Sequence, residues 1–268
     1  MQFFSQVSSE MQIFLIAILA LILGSFFSLI THRLFNNQPI VFTRSKCTNC
    51  GCILKIINLI PLFSWLFQRG KCGECKCKIS WRYPLIELAF LISFLVIYFV
   101  LGRELNIKML LHFAIASTLI VMCIVDLEHY FIPNVSQYLL AIFVALLLIS
   151  QGGSNAVLTN LKAAFIFTLF SVALWAFFYF IAKIDALGID DIKFFFIAGL
   201  MLGMKDFLTF MILSGFFGMI FGALWQKLKK DENFPFAPAI CLASFVCLLL
   251  DKKINPVDLM GSLLFQGF

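Results

Sequence analysis

Two aspartates, Asp126 and Asp191, stand at the ends of long apolar segments. The first lies in Cys-Ile-Val-Asp126-Leu-Glu-His-Tyr-Phe-Ile-Pro133 and the second in Leu187-Gly-Ile-Asp-Asp191-Ile-Lys193. A carboxylate at a bilayer boundary is costly to place and usually has a function. Taken singly, each reads equally well as a helix cap or a solvated loop charge. A pair on one side of a membrane is different, because mutual repulsion keeps one carboxyl protonated beside an ionised one. The ionised partner can take a proton from water while the protonated one delivers a proton to a leaving nitrogen, which is the chemistry of amide hydrolysis.

A second cluster carries different chemistry. Six of the nine cysteines fall between positions 47 and 77, as Cys47-Thr-Asn-Cys50-Gly-Cys52 and Cys72-Gly-Glu-Cys75-Lys-Cys77. Two Cys-x-x-Cys pairs supply the four thiolates of a tetrahedral zinc site, and paired spacing favours Cys47, Cys50, Cys72 and Cys75 over Cys52 and Cys77. Lys46, Lys71, Lys76 and Lys78 would offset the negative charge of such a centre. Disulfides or free thiols are the alternative, and disulfides would require this stretch to face an oxidising compartment. Cys123, Cys241 and Cys247 lie in apolar spans and read as small core residues.

The elements that must position these groups are membrane helices. The chain is 62% hydrophobic and 13% charged, about half the charged fraction of a soluble domain. Eight apolar spans are expected, at about 11–31, 85–101, 107–125, 135–150, 160–182, 193–204, 207–225 and 237–250. The first is long enough to cross the roughly 30 Å of hydrocarbon. It lacks the basic start and small-residue cleavage site of a signal peptide, so it is expected to be retained. The expected fold is an all-α polytopic membrane protein in three parts. These are a first transmembrane helix over 1–31, a small Cys-rich, zinc-knuckle-like insert over 32–84, and a transmembrane domain over 85–268.

With alternating sides, the loops 32–84, 126–134, 183–193 and 226–236 fall together and hold 14 of the 20 Lys and Arg. That excess marks them as cytosolic, with both termini outside, although Lys252-Lys253 runs against the bias. The insert, Asp126 and Asp191 then share the cytosolic side. Between the cysteine pairs, Asn58-Leu-Ile-Pro61-Leu-Phe-Ser-Trp65-Leu-Phe-Gln-Arg69 is apolar enough to lie on the membrane surface, or to form the insert's own core.

In order and spacing, the chain resembles the bacterial type IV prepilin leader peptidases, membrane aspartyl enzymes of pilus and type II secretion systems. The resemblance is carried by Gly24-Ser25-Phe26 with His32-Arg33-Leu34, both Cys-x-x-Cys pairs, Asn58 to Pro61, Ser64-Trp65 and Arg69-Gly70-Lys71. It continues through Arg82-Tyr83-Pro84 with Glu87, Asp126 with Ile132-Pro133, Gly188 to Lys193, and Pro235-Phe236-Ala237-Pro238. It implies a bifunctional enzyme of the bacterial inner membrane, with the Cys-rich insert and active site facing the cytosol. Such an enzyme cleaves the leader of membrane-inserted prepilin or pseudopilin precursors. It then N-methylates the new terminus with S-adenosylmethionine as methyl donor. By the same resemblance Asp126 and Asp191 are the catalytic dyad, and Gly70 and Lys71 belong to the cofactor-binding, methylation-associated part. The implied partners are the precursors and the lipid bilayer, with no nucleic acid.

Three departures stand out. Asp190 replaces the second glycine of the family's Gly-x-Gly-Asp, which implies strain if positive φ is needed there and brings another charge beside Asp191. Ser28 replaces a frequent Asn, and Ala237 a Gly; Asp185 reads as local support. A peptidase without methylation and a divergent, weakened copy keep the same fold. A zinc-binding scaffold or transporter would be a different class, but transporter carboxylates belong near the bilayer midplane rather than at span ends.

Overall fold

The computed structural model describes residues 8–35, 45–47, 49–103, 105–183, 187–229 and 234–250. Asp185, the pair Lys252-Lys253 and the 36–44 part of the insert lie outside the described residues. Helices dominate, and among the described residues there is no β-strand beyond the isolated bridges Lys46–Ile53 and Lys71–Lys78. The chain divides into two compact units, Met1–Tyr98 and Phe99–Phe268.

In the first unit, α1 (Ser9–Phe35) and α3 (Arg82–Leu101) are antiparallel partners around the insert. At one end the Tyr98 hydroxyl donates to Gln12 Oε1 at 3.0 Å. At the other, the Arg82 guanidinium donates to the Ser28 carbonyl and hydroxyl and, at 2.8 Å, to Thr31 Oγ1. Ser28, which stands where Asn is frequent in the family, thus serves as an Arg82 partner. Between these ends Phe27 stacks on Phe90 with ring centroids 5.7 Å apart. The insert contributes a 3₁₀ turn (Ile56–Leu59) and the short helix α2 (Phe63–Phe67).

The second unit contains α4 (Ile107–His129), α5 (Asn134–Phe177), α6 (Ile189–Leu202), α7 (Phe207–Lys229) and α8 (Ala237–Leu250). The expected break over 151–159 is far tighter than the sequence suggested. The two spans join at a kink confined to Gly152 and Gly153, and helix resumes at once. Glycine punctuates the helix here, but polar residues after it (Ser154, Asn155) do not extend the break. Among the described residues, five helical stretches are long and apolar enough to cross a membrane: Ser9–Leu34, Arg82–Leu101, Ile107–His129, Asn134–Ile181 and Met204–Lys229. α6 and α8 are shorter.

The core of the second unit is aromatic where α5, α6 and α7 meet. Phe167 and Phe195 lie 5.6 and 5.4 Å from Phe210, and all three are buried. α6 presses closely on α5 because Gly199 has no side chain: a Cβ there would fall 2.7 Å from Ala164 Cα. Asn160 fixes the far end of α6 by donating to the Leu200 carbonyl at 2.9 Å.

Candidate active site and cysteine centre

Asp126 sits on the last turn of α4 rather than beyond its end. The helix runs on to His129 and closes at Tyr130, a left-handed residue whose N–H donates to the Asp126 carbonyl. Pro133 then sets the extended backbone from which α5 starts. The Asp126 side chain is buried, and its Oδ2 accepts the Ala237 main-chain N–H at 2.8 Å. Ala237 opens α8, where amides have no partner within the helix. Pro238 contributes no N–H of its own. The Pro-Phe-Ala-Pro stretch therefore aims one unpaired amide at Asp126.

Asp191 occupies the first turn of α6, and its Oδ2 accepts the Gly188 N–H at 3.1 Å. The two carboxylates lie near enough to interact electrostatically, and the buried Cys241 lies within reach of both. The structure thus brings Asp126 and Asp191 together from 65 positions apart in sequence.

Asp190 takes a separate role. It lies within helix α6 and has no positive φ, so the strain expected from replacing a glycine is absent. Its carboxylate accepts from Lys193 Nζ at 2.9 Å, and the same ammonium reaches Asn134 Oδ1 at 3.0 Å. The Asp190 carbonyl accepts from the buried Gln137 amide at 3.1 Å. These bonds join the start of α6 to the start of α5. Gln137 and Ala237 are the site residues that sequence reasoning missed or undervalued. Gln137 is one polar residue in an apolar span, and Ala237 acts through its main chain.

In the first unit the two cysteine clusters fold as equivalent knuckles. The Cys47 N–H donates to the Cys52 carbonyl at 2.9 Å, and the Cys72 N–H to the Cys77 carbonyl at 2.9 Å. Each turn closes through a left-handed residue, Gly51 in one and Lys76 in the other. The sulfurs of Cys47, Cys50, Cys72 and Cys75 all lie within 4.8 Å of one another. A metal–sulfur bond of about 2.3 Å in a tetrahedron needs sulfurs roughly 3.8 Å apart, and Cys47 and Cys75 are at 3.8 Å. The donor set therefore fits a tetrahedrally bound metal ion of the zinc type.

Main-chain amides favour the thiolates a metal needs. The Cys50 and Asn49 N–H groups hold Cys47 below the usual thiol range, and those of Cys75 and Glu74 do the same for Cys72. The Cys77 N–H, with its thiol, lowers Cys75. Cys50 moves the other way. The Cys52 N–H favours its thiolate, but the Cys52 thiol at 3.2 Å and the neighbouring sulfurs outweigh it. Cys77 is pushed up to about 12 by the Cys75 side chain and by burial.

Beside the knuckles lies a cavity of about 940 Å³. Ser25, Arg33, Trp65, Gln68, Tyr83 and Glu87 are among its lining residues. Arg33 and Glu87 are buried. Gly70 is adjacent but acts through Trp65: its φ is +67°, and a Cβ would meet the indole ring at 2.8 Å. Lys71 is exposed and pairs through its backbone with Lys78. The cavity is invisible in sequence because its walls come from segments tens of residues apart.

Residues 18–101 match the bacterial peptidase A24 N-terminal domain, and residues 113–223 match the type IV leader peptidase family. The prepilin leader peptidase/N-methyltransferase of Bacillus subtilis (strain 168) is 33% identical over 242 residues, covering 88% of this chain and 94% of the relative. Enzymes of the same name from Stutzerimonas stutzeri and Pseudomonas aeruginosa are each 27% identical, covering 89% and 94% of this chain and 90% and 93% of their own lengths. No solved structure matches. A paired-carboxylate site in an all-helical membrane unit, a four-cysteine centre and relatives matched over nearly their whole length lead to one assignment: the chain belongs to the type IV leader peptidase family.

Proposed function

We propose that the protein cleaves the leader peptide of type IV prepilin-like precursors at the cytosolic face of the bacterial inner membrane and methylates the new N-terminus. The observation that supports the peptidase reading best is the convergence of Asp126 and Asp191 on the same membrane-embedded unit. One carboxylate takes a proton from water, whose oxygen attacks the scissile carbonyl. The other delivers a proton to the departing nitrogen, leaving a leader carboxylate and a free amine. The Ala237 and Gly188 amides fix the two side chains before substrate arrives, so little reorganisation remains for the reaction itself. A precursor whose apolar helix stays in the bilayer would present its scissile bond at the boundary where these helix ends lie.

The insert over 32–84 is read as the methylation-associated part, between the first helix over 1–31 and the peptidase domain over 85–268. S-adenosylmethionine, when bound, supplies the electrophilic methyl group for the new amine. The cavity suits a ligand of that size, with apolar and aromatic walls and a few convergent polar groups. Trp65 and Tyr83 would hold its aromatic part, and Arg33 its carboxylate. The zinc would be structural, holding the two knuckles in register.

Leader cleavage of a pilin-like precursor in membranes, read by mass spectrometry, tests both activities in one product. Loss of the leader with a gain of one methyl group (about 14 Da, one added CH₂) supports the whole reading. A cut but unmethylated product reduces it to a peptidase, and an uncut precursor refutes it.

A further inference from the structure

The segment between the two cysteine knuckles, with Trp81 just after the second, leaves exposed apolar side chains that neither reaction uses. Ile57, Phe63, Leu66, Phe67 and Trp81 are 73%, 54%, 63%, 85% and 66% exposed. The insert has a small core of its own, built around Trp65. Trp65 turns inward, donates from Nε1 to the Ile79 carbonyl, and lies 4.1 Å from the Trp81 ring while backing Gly70. Trp81 packs on that core yet stays largely exposed, and Ile57, Phe63, Leu66 and Phe67 are left over once it is complete.

The position of this segment is set by a hydrogen bond. The Leu62 N–H, immediately before α2, donates to Glu87 Oε2 at 2.7 Å. Glu87 lies five residues into α3, which begins at Arg82. At a rise of 1.5 Å per residue that is about 7.5 Å along the helix axis. The chain at Leu62 is therefore held beside the first turns of a helix long and apolar enough to span a membrane, whose Leu85 and Leu88 are themselves exposed. With α3 entering the bilayer at its start, such a segment would lie at the boundary between headgroups and acyl chains, where interfacial helices settle about 5–10 Å deep.

Charge points the same way. Between positions 45 and 81 the described chain carries Lys46, Lys55, Arg69, Lys71, Lys76 and Lys78 against the single acid Glu74. Exposed apolar and aromatic side chains in a segment with this excess of cations are the pattern that anionic lipid attracts. A second copy of the chain fits less well. A two-fold contact sets identical surfaces against each other, which would bring these cations near their own copies.

We propose that Ile57, Phe63, Leu66, Phe67 and Trp81 form an interfacial anchor that holds the insert on an anionic bilayer. The knuckles and cavity then ride at the membrane surface. The inference concerns lipid alone and stands whether or not either reaction does.

The test uses the full chain in nanodiscs of phosphatidylcholine with 30% phosphatidylglycerol. The photoreactive amino acid p-benzoylphenylalanine is placed at Leu66 or Phe67, with Glu74 as the control position. After irradiation, intact-protein mass spectrometry should show phospholipid adducts at 66 and 67 but not at 74. Phosphatidylglycerol should be captured at least about twofold above its share of the lipid, as expected for a cationic segment. A cross-linked dimer at 66 or 67, or no lipid adduct at either position, would overturn the proposal.

Discussion

Asp126 Oδ2 accepts the Ala237 main-chain N–H at 2.8 Å, so a side chain on the last turn of α4 caps the first turn of α8. The bond is buried and spans 111 residues of sequence. It also explains why the prolines flanking Phe236 and Ala237 matter. Pro238 cannot offer a competing donor, so the one amide aimed at the carboxylate is Ala237's.

Removing that donor should impair cleavage while sparing methylation of precursor cut beforehand. Ala237→Pro deletes the N–H and leaves a buried carboxylate short of a partner, at about 1.5–3 kcal/mol for a charged hydrogen bond. That corresponds to roughly a 10- to 100-fold lower cleavage rate. Ala237→Gly keeps the N–H and should cleave within about threefold of the parent rate. Initial rates on one precursor at matched expression compare the two directly.

The aspartates should separate by role. Asp126→Asn and Asp191→Asn should each abolish leader cleavage. Asp190→Asn should lose at most about fivefold, because its bond to Lys193 joins two half-exposed side chains and such pairs contribute about 0–1 kcal/mol. Cleavage surviving in Asp191→Asn would disprove the dyad.

Much of this site was legible in sequence, for physical reasons. Charges are so sparse in membrane spans that Asp126 and Asp191 stood out, and cysteine spacing indicated the four-sulfur cluster that the knuckles then formed. What stayed hidden depends on main-chain groups and long-range packing. Ala237 contributes an amide that every residue but proline has, and the cavity exists only once α1, the insert and α3 assemble. Asp190 suggested strain by analogy with glycine, but a position inside the first helical turn needs no positive φ.

Metal content should depend on the four clustered thiols. The purified chain should carry about one zinc, and Cys72→Ser should lose it, because Cys72 is the buried member of the set. Methylation should fall more than cleavage, since the insert and the aspartates occupy different compact units. Cys77→Ser should retain the metal. Elemental analysis with product mass spectrometry reads all three outcomes; equal loss of both activities in Cys72→Ser would argue against separate roles.

Gly70 offers a test of the cavity wall. Its φ of +67° costs a non-glycine residue about 1 kcal/mol or more, and an added methyl would meet the Trp65 ring at 2.8 Å. Gly70→Ala should therefore displace Trp65 and reduce methylation while leader cleavage continues. Lys71→Ala should have the milder effect, because Lys71 is exposed and its backbone pairing with Lys78 survives truncation.

The close approach of α6 to α5 predicts a stability defect at a residue remote from both carboxylates. Gly199→Ala places a Cβ 2.7 Å from Ala164 Cα and 3.0 Å from the Ala163 carbonyl oxygen, both main-chain atoms. Neither can rotate away, so the helices must separate, at about 1–3 kcal/mol for an overpacked core. Ala164→Gly should not rescue it, because the obstructing atom is Cα rather than Cβ. Gly215→Ala makes an informative contrast: nothing lies within 4 Å of its added methyl, and alanine is the better helix former. Thermal unfolding in detergent should thus show a lowered Tm for Gly199→Ala and an unchanged or raised one for Gly215→Ala. Cleavage should fall with the former, since α6 carries Asp191 to Asp126.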